Sequence, residues 1–497
     1  MQKTTYNHEQ MLKKGQAALQ KNTGQLEDTV YRLDYHFMAP SGWLNDPNGL
    51  IQHKGIYHLF YQHHPYSADW GPMHWGHATS KDLITWQHEP IALAPSETYE
   101  YEAEKTEVGC FSGSAVTNGE ELVLIYTGHV EGGEPKEVQA AATSSDGIHF
   151  TKNKNNPIIS GPPSELSDDF RDPKVWKYEN TWYMVVGTSK GENGAAALYS
   201  SKNLEDWNYA GTVLEGDGTQ GDMWECPDLF PIGEKHALIV SPMNMENGKN
   251  IIIVGEMDYA SGTFIPETLK EIDEGIDFYA AQTFADEKGR RILIAWMDTW
   301  DTDFPTKKEG WAGAMTIPRE ITLDSGNHPV FLPVPEMKEL RIEHERHQIE
   351  MLKADSVRDI NSNKNLANSF EIQTEIKWKK EEGKGRVGFI LRASNDRKEQ
   401  TLVYYDIEKQ KLVVDTTNSG ESAPALPCEI SLKREDSLSL QIFIDTSSIE
   451  VFTEEGDAVI TNRIYPNPSH TEAALFTTNT DIISTTVDTW NLKKVIK

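Results

Sequence analysis

Asp46-Pro47-Asn48-Gly49, followed from residue 56 by Ile56-Tyr57-His58-Leu59-Phe60-Tyr61, sets a polar anchor and a turn-rich gap ahead of an apolar strand. The same order of features returns four times. Ser112 precedes Leu122-Val123-Leu124-Ile125-Tyr126, Asp172 precedes Trp182-Tyr183-Met184-Val185-Val186, Glu225 precedes His236-Ala237-Leu238-Ile239-Val240, and Gln282 precedes Ile292-Leu293-Ile294-Ala295-Trp296. The anchors stand 66, 60, 53 and 57 residues apart. A second element recurs out of phase with the first: Thr79-Ser80-Lys81-Asp82 before Trp86, Thr143-Ser144-Ser145-Asp146 before Phe150, and Ser200-Ser201-Lys202-Asn203 before Trp207. Each reads as a polar turn between the outer strands of one repeat. Five such units, each with room for about four short strands, predict a five-bladed β-propeller, whose radial closure protects sheet edges. The strands alone also fit an ordinary sandwich. The shared phase of the anchors favours the propeller, where equivalent positions converge around the axis.

Working outward, Glu9 to Lys21 places Leu12, Ala18 and Leu19 on roughly one helical face and ends at Asn22-Thr23-Gly24, so residues 1–30 are expected to form a helical extension. Residues 31–335 make the propeller. The charged segment 336–355, after the prolines of 329–335, reads as a linker. Beyond it, Phe370, Ile372, Thr374, Ile376 and Trp378 alternate onto one face, as do Leu438, Leu440, Ile442 and Ile444, which predicts a C-terminal β-sandwich over 356–497. The whole chain is therefore expected to be all-β apart from a short N-terminal helix.

Composition narrows the function classes. Over 497 residues, 47 Lys and Arg against 77 Asp and Glu give a net charge of −30, which repels nucleic acid and anionic membranes. Thirteen Trp, 18 Tyr and 16 Phe supply packing enough to exclude a disordered chain. Cys110, Cys226 and Cys428 are odd in number and far apart, which suits a reducing cytoplasm better than a disulfide scaffold or a zinc site. Met1 to Gly15 carries no apolar run of a signal peptide, and no stretch approaches a membrane span, although secretion by another route stays open.

Three acids stand among aromatic neighbours, each in an apparent turn: Asp46 in Trp43-Leu44-Asn45-Asp46-Pro47-Asn48-Gly49, Asp172 in Phe170-Arg171-Asp172-Pro173, and Glu225 in Met223-Trp224-Glu225-Cys226-Pro227-Asp228. Alone, each is an ordinary turn residue. Aimed at one axial pocket, they would push each other's protonation apart, leaving some ionised and one protonated near neutral pH. Glycoside hydrolysis needs that arrangement: an acid to protonate the leaving oxygen and a carboxylate facing the sugar carbon. Trp43, Trp70, Trp75, Trp224 and Trp311 offer flat faces for sugar rings, with core packing as the plainer role of about half of them.

Together with Phe111-Ser112-Gly113-Ser114, these motifs resemble, in order, the signatures of glycoside hydrolase family 32, the invertases, sucrose-6-phosphate hydrolases and fructanases. The likeness continues through Gln62, residues 70–77, Asp277-Phe278-Tyr279-Ala280, Ala295-Trp296-Met297, residues 311–319 and Asp445-Thr446-Ser447-Ser448-Ile449-Glu450-Val451-Phe452, so it spans the chain after about Tyr31. The resemblance implies a five-bladed propeller with a β-sandwich and a β-fructofuranosidase activity. It implies Asp46 as nucleophile, Glu225 as general acid and base, and Asp172 as the group that binds fructose hydroxyls and stabilises the cationic carbon. It further implies Asn45, Gln62, Trp70, Phe111, Ser112, Arg171 and Trp296 as substrate-binding positions. Leu44 departs from the Met common in the family, a swap that nearly conserves volume. Asp172 is expected to stay ionised beside Arg171, and retention is expected, with the two reacting carboxyl groups roughly 5 to 5.5 Å apart.

The histidines His58, His63, His64, His74 and His77 match no metal-ligand spacing, and neither a metal nor another cofactor is expected. Ser112 and Ser114 form no Gly-x-Ser-x-Gly elbow. The expected partner is a sugar (sucrose, sucrose 6-phosphate or a fructo-oligosaccharide), with no nucleic acid and no membrane, and with a homodimer through the sandwich as a possible assembly. A fructosyltransferase using the same carboxylates and a non-catalytic sugar-binding propeller are the alternatives.

Overall fold

The computed structural model describes residues 7–26, 29–246, 248–361, 365–379, 384–424 and 426–495. Within them, residues 42–333 form five antiparallel sheets in chain order. Their first strands are Gly42–His53, Val108–Asn118, Phe170–Tyr178, Met223–Ile232 and Tyr279–Ala285. Each first strand touches the next, and the last returns to the first, so the sheets radiate from a closed ring as a propeller does. The ring is latched by the short strand Trp311–Ala312, which pairs in parallel with Gly42 and Trp43 on the free inner edge of the first sheet.

The apolar runs found by repetition are the second strands of these sheets, and the anchors lie inside the first strands rather than in turns ahead of them. What made them look like turns is a bulge repeated at one phase. Pairing slips between Leu44 and Pro47, between Phe111 and Gly113, between Arg171 and Lys174, between Glu225 and Asp228, and between Tyr279 and Gln282. Extra residues at a bulge re-aim neighbouring side chains. Asp172, Cys226 and Ala280 adopt left-handed backbone there, at φ 65°, 49° and 54°, a conformation that costs about 1–3 kcal/mol for a residue with a side chain. The outer turns also repeat as expected. Ser80 and Ser201 hydroxyls accept the N–H of Leu83 and Leu204, whose φ values are 69° and 66°, and the carbonyls of those leucines accept from Trp86 and Trp207 Nε1.

The N-terminal helix spans His8–Thr23, capped by Asn7, whose side chain accepts the Glu9 N–H. Its buried face is Met11, Gly15 and Leu19, an i, i+4 stripe, so of the expected Leu12, Ala18 and Leu19 only the last is buried. Gly15 decides the facing: a β-carbon there would meet Ile91 at 3.1 Å and His74 at 3.3 Å. Gln16 and His8 also accept the backbone N–H groups of Ile91 and Ala94.

The C-terminal region is a sandwich of two sheets, each six-stranded among the described residues. Phe370, Ile372, Ile376, Trp378, Leu438, Leu440, Ile442 and Ile444 meet between them in one core, as their alternation predicts. The expected linker needs correction. Residues 341–349 form a strand, Arg341–Ile349, at the edge of one sandwich sheet, paired with Ile482–Leu492. An edge strand buries little and carries many charges, so its composition imitates a connector.

The two halves are joined by a buried polar junction. His36 Nδ1 lies 2.8 Å from Asp445 Oδ2, and its Nε2 lies 2.8 Å from Glu450 Oε1. Arg319 bridges Glu450 (2.6 Å) and Asp273 (2.8 Å), and all five side chains are fully buried. Phe443 and Phe452 of the sandwich also enter the propeller core.

Candidate active site

The repeated bulges converge on a cavity of about 980 Å³ at one end of the ring. Asp46, Asp172 and Glu225 all line it, with Asn45, Gln62, Trp70, Phe111, Ser112 and Arg171. Of the positions expected to bind substrate, only Trp296 stays out. It is fully buried, and Trp300, half exposed, packs against it at 4.9 Å and reaches the cavity instead. Among the other tryptophans considered, Trp43, Trp75, Trp224 and Trp311 are buried as packing units.

Asp46 is gripped on both oxygens. Ser112 Oγ donates to Oδ2 at 2.6 Å and Asn45 Nδ2 to Oδ1 at 3.0 Å, while Trp43 Nε1 donates to Asn45 Oδ1 at 2.7 Å and fixes which way that amide faces. Asn48 stands behind, its amide nitrogen 3.2 Å from Ser112 Oγ and its oxygen 2.9 Å from Gln62 Nε2. Burial raises the Asp46 carboxyl to about 6; the charge of Glu225 adds to the rise, and the Ser112 bond opposes it.

Cys226 binds the acids into one cluster. Its thiol lies 3.7 Å from Asp46 Oδ2 and 3.6 Å from Asp172 Oδ2, and its backbone N–H donates to Asp172 at 2.9 Å. Burial, with Asp172 and Asp46 alongside, keeps the thiol protonated well above its ordinary range. Asp172, whose own N–H donates to Thr127 Oγ1, is raised above the carboxylate range by burial and by the Glu225 charge. The expectation that Arg171 would keep it ionised is therefore corrected. The Arg171 side chain turns elsewhere: Nε donates to Glu225 Oε1 at 3.0 Å, and Nη1 to Glu137 and Asp169. The other Glu225 oxygen accepts from Tyr279 OH at 2.6 Å.

Several lining residues escaped the sequence reading. Tyr279 lies inside the motif Asp277-Phe278-Tyr279-Ala280, just ahead of the fifth anchor Gln282, and that nearness is the signal the sequence offers. Glu137, His129, Lys136, Asp169, Lys249 and Trp300 sit on strand ends and rim loops whose convergence no local pattern announces. The histidine group is accounted for by packing and hydrogen bonds: His58 Nδ1 faces His77 Nε2 at 3.1 Å, and His63, His64 and His74 each turn Nδ1 to a backbone carbonyl. Among the described residues, no group of three His, Cys, Asp or Glu side chains has metal-holding geometry.

The site can be set beside known proteins. Residues 36–333 match the family described as glycosyl hydrolases family 32 N-terminal domain, and residues 336–491 match its C-terminal counterpart. A sucrose-6-phosphate hydrolase of Escherichia coli is 41% identical over 479 residues, covering 93% of this chain and 94% of that protein. A raffinose invertase of Escherichia coli is 36% identical, covering 97% and 99%. Among solved structures, a beta-fructofuranosidase of Bombyx mori aligns with a TM-score of 0.84 at 32% identity, covering 99% of this chain and 100% of that one. The sucrose-6-phosphate hydrolase from Lactobacillus gasseri aligns at 0.86 with 26% identity, covering 97% of each. With both halves of the chain matched and the cavity built where its motifs meet, the protein belongs to glycoside hydrolase family 32.

Proposed function

We propose that this glycoside hydrolase is a retaining β-fructofuranosidase that cleaves the terminal β-D-fructofuranoside of sucrose, sucrose 6-phosphate or short fructo-oligosaccharides. The observation that carries the reading is the clustering around Cys226: two carboxylates touch its thiol, and the third belongs to the preceding residue.

In the first step Asp46, held by Ser112 and Asn45, attacks C2 of the fructosyl unit as Glu225 gives its proton to the glycosidic oxygen. The C2–O bond breaks, the glucosyl part leaves as an alcohol, and a fructosyl ester remains on Asp46. In the second step Glu225, now ionised, takes a proton from water as that water attacks C2 and frees Asp46. Two displacements return the original configuration. Asp172 faces the fructose hydroxyls, and Trp70, Phe111, Gln62 and Arg171 complete the walls.

Transfer of the fructosyl group to a second sugar uses the same carboxylates. Product analysis at high sucrose concentration separates it: equal release of glucose and fructose supports hydrolysis, and oligosaccharides in place of free fructose support transfer.

We place the enzyme in the cytoplasm. Its three cysteines are free and buried, and no helix among the described residues is long and apolar enough to cross a membrane. A homodimer through the sandwich would cover Met351 and Ile483, exposed beside the Leu352–Ile482 bridge; light scattering of the purified chain tests it.

A further inference from the structure

We propose that Glu137, a buried carboxylate at the cavity wall, is a positioning residue that holds Arg171 and thereby governs the pH at which Glu225 gives up its proton. The inference rests on the reading of Glu225 as general acid and base and adds a residue that no motif marks.

Glu137 opens the strand Glu137–Ser144 and has no exposed side-chain surface. Its Oε1 accepts from His129 Nδ1 at 2.9 Å and from Arg171 Nη1 at 3.2 Å, and its Oε2 accepts the backbone N–H of Phe170. One carboxylate thus holds the backbone just before Arg171-Asp172, the Arg171 guanidinium, and the His129 ring that stacks on Phe111 at 4.1 Å. Burial disfavours charge on Glu137, yet Arg171 and His129 hold it below the ordinary carboxylate range.

The electrostatic consequence follows from counting around one cation. Arg171 serves Glu137, Asp169 and Glu225 at once. The remaining groups facing Glu225 are Tyr279, Asp172, Asp46 and Cys226; those facing Glu137 are His129 and, through Asp169, Lys136. Arg171 Nε stands 3.0 Å from Glu225, and a general acid must keep its proton until the first step, against the pull of any neighbouring cation. Glu137 draws the same positive charge the other way. It spares Glu225 part of Arg171's field and also fixes where the Nε donor points.

The test uses the full chain with Glu137→Gln, a near-isosteric change that removes the charge. The readout is kcat/KM against pH on sucrose and on para-nitrophenyl β-D-fructofuranoside, whose leaving group needs no proton. On sucrose the alkaline limb is expected to move toward acid by roughly one pH unit, the scale of shift that a charge within a few ångströms produces. The acid limb and the aryl substrate should be little affected. Glu137→Asp keeps the charge and should leave the alkaline limb in place. A rate lowered evenly at every pH, or an unchanged profile, would overturn the proposal.

If Glu137→Gln does not fold, Arg171→Gln reads the same relationship from the other end: the alkaline limb must move to higher pH, and an unmoved limb overturns the proposal. Glu225→Gln keeps the two readings apart. If it lowers kcat/KM on sucrose and on the aryl fructoside equally, the assignment of Glu225 itself fails, whatever Glu137 does.

Discussion

Ser112 Oγ donates to Asp46 Oδ2 across 2.6 Å, linking the first strands of two neighbouring sheets at their bulges. This bond favours the ionised form of Asp46 against burial and against the Glu225 charge, which together raise the group to about 6. Attack requires the carboxylate, so kcat/KM should rise with pH through an acid limb near that value. Ser112→Ala removes a bond to a charged group worth about 1.5–3 kcal/mol. The expected result is a fall in kcat/KM of roughly ten- to a hundredfold, with the acid limb displaced to higher pH. A pH–rate profile of the variant checks both.

The cavity lining predicts how charge on the substrate matters. Among the described residues it presents Glu107, Glu246 and Asp301 besides the acids already discussed, while each cation is engaged: Lys136 with Asp169 and Glu131, Arg171 with Glu225 and Glu137, and Lys249 with Asp301. A phosphate dianion meets an acidic mouth inside a chain of net charge −30. Sucrose should therefore have the higher kcat/KM at low salt, and its advantage over sucrose 6-phosphate should narrow as salt screens the field. Parallel assays across ionic strength measure the ratio.

The junction between propeller and sandwich makes a stability prediction. Glu450 receives His36 and Arg319 where none of the three is exposed. Truncating one member of a buried charge network leaves the others unpaired, so Glu450→Ala should cost about 3–5 kcal/mol in denaturant unfolding. Burial opposes charge on His36, but its bonds to Asp445 and Glu450 win and raise it above its ordinary 6.5. A raised histidine contributes in full below its unfolded value and loses that contribution as pH climbs through its folded value. His36→Gln should therefore cost more stability at pH 6 than at pH 9, which unfolding curves at the two pH values compare.

Much of this arrangement is legible in the chain because the propeller repeats itself. Asp46, Ser112, Asp172, Glu225 and Gln282 share a phase, and a shared phase in a closed ring becomes a shared place. What periodicity cannot show is where a long side chain turns. Arg171 follows Phe170 and precedes Asp172, so sequence pairs it with its neighbour, whereas the bulge sends the guanidinium to Glu225 in the next sheet. Trp296 and Trp300 are four residues apart and equally aromatic; only the packing shows which one is covered, since Trp43 lies against both while Phe304 stacks on Trp296. Glu137 and the edge strand 341–349 read in the sequence as ordinary solvent-facing charge for a related reason: the partner of each lies across the fold.

In the proposed mechanism Asp46 carries the fructosyl group between two displacements while Glu225 handles the proton. Glu225→Gln, given the aryl fructoside, should complete the first step and stall before the second. Acid quenching followed by peptide mass mapping should then find one fructosyl unit on the peptide that contains Asp46, and none when Asp46→Asn is added. Continued turnover of the aryl fructoside with no fructosyl adduct on that peptide, or release of inverted fructose as the first product, would contradict the account.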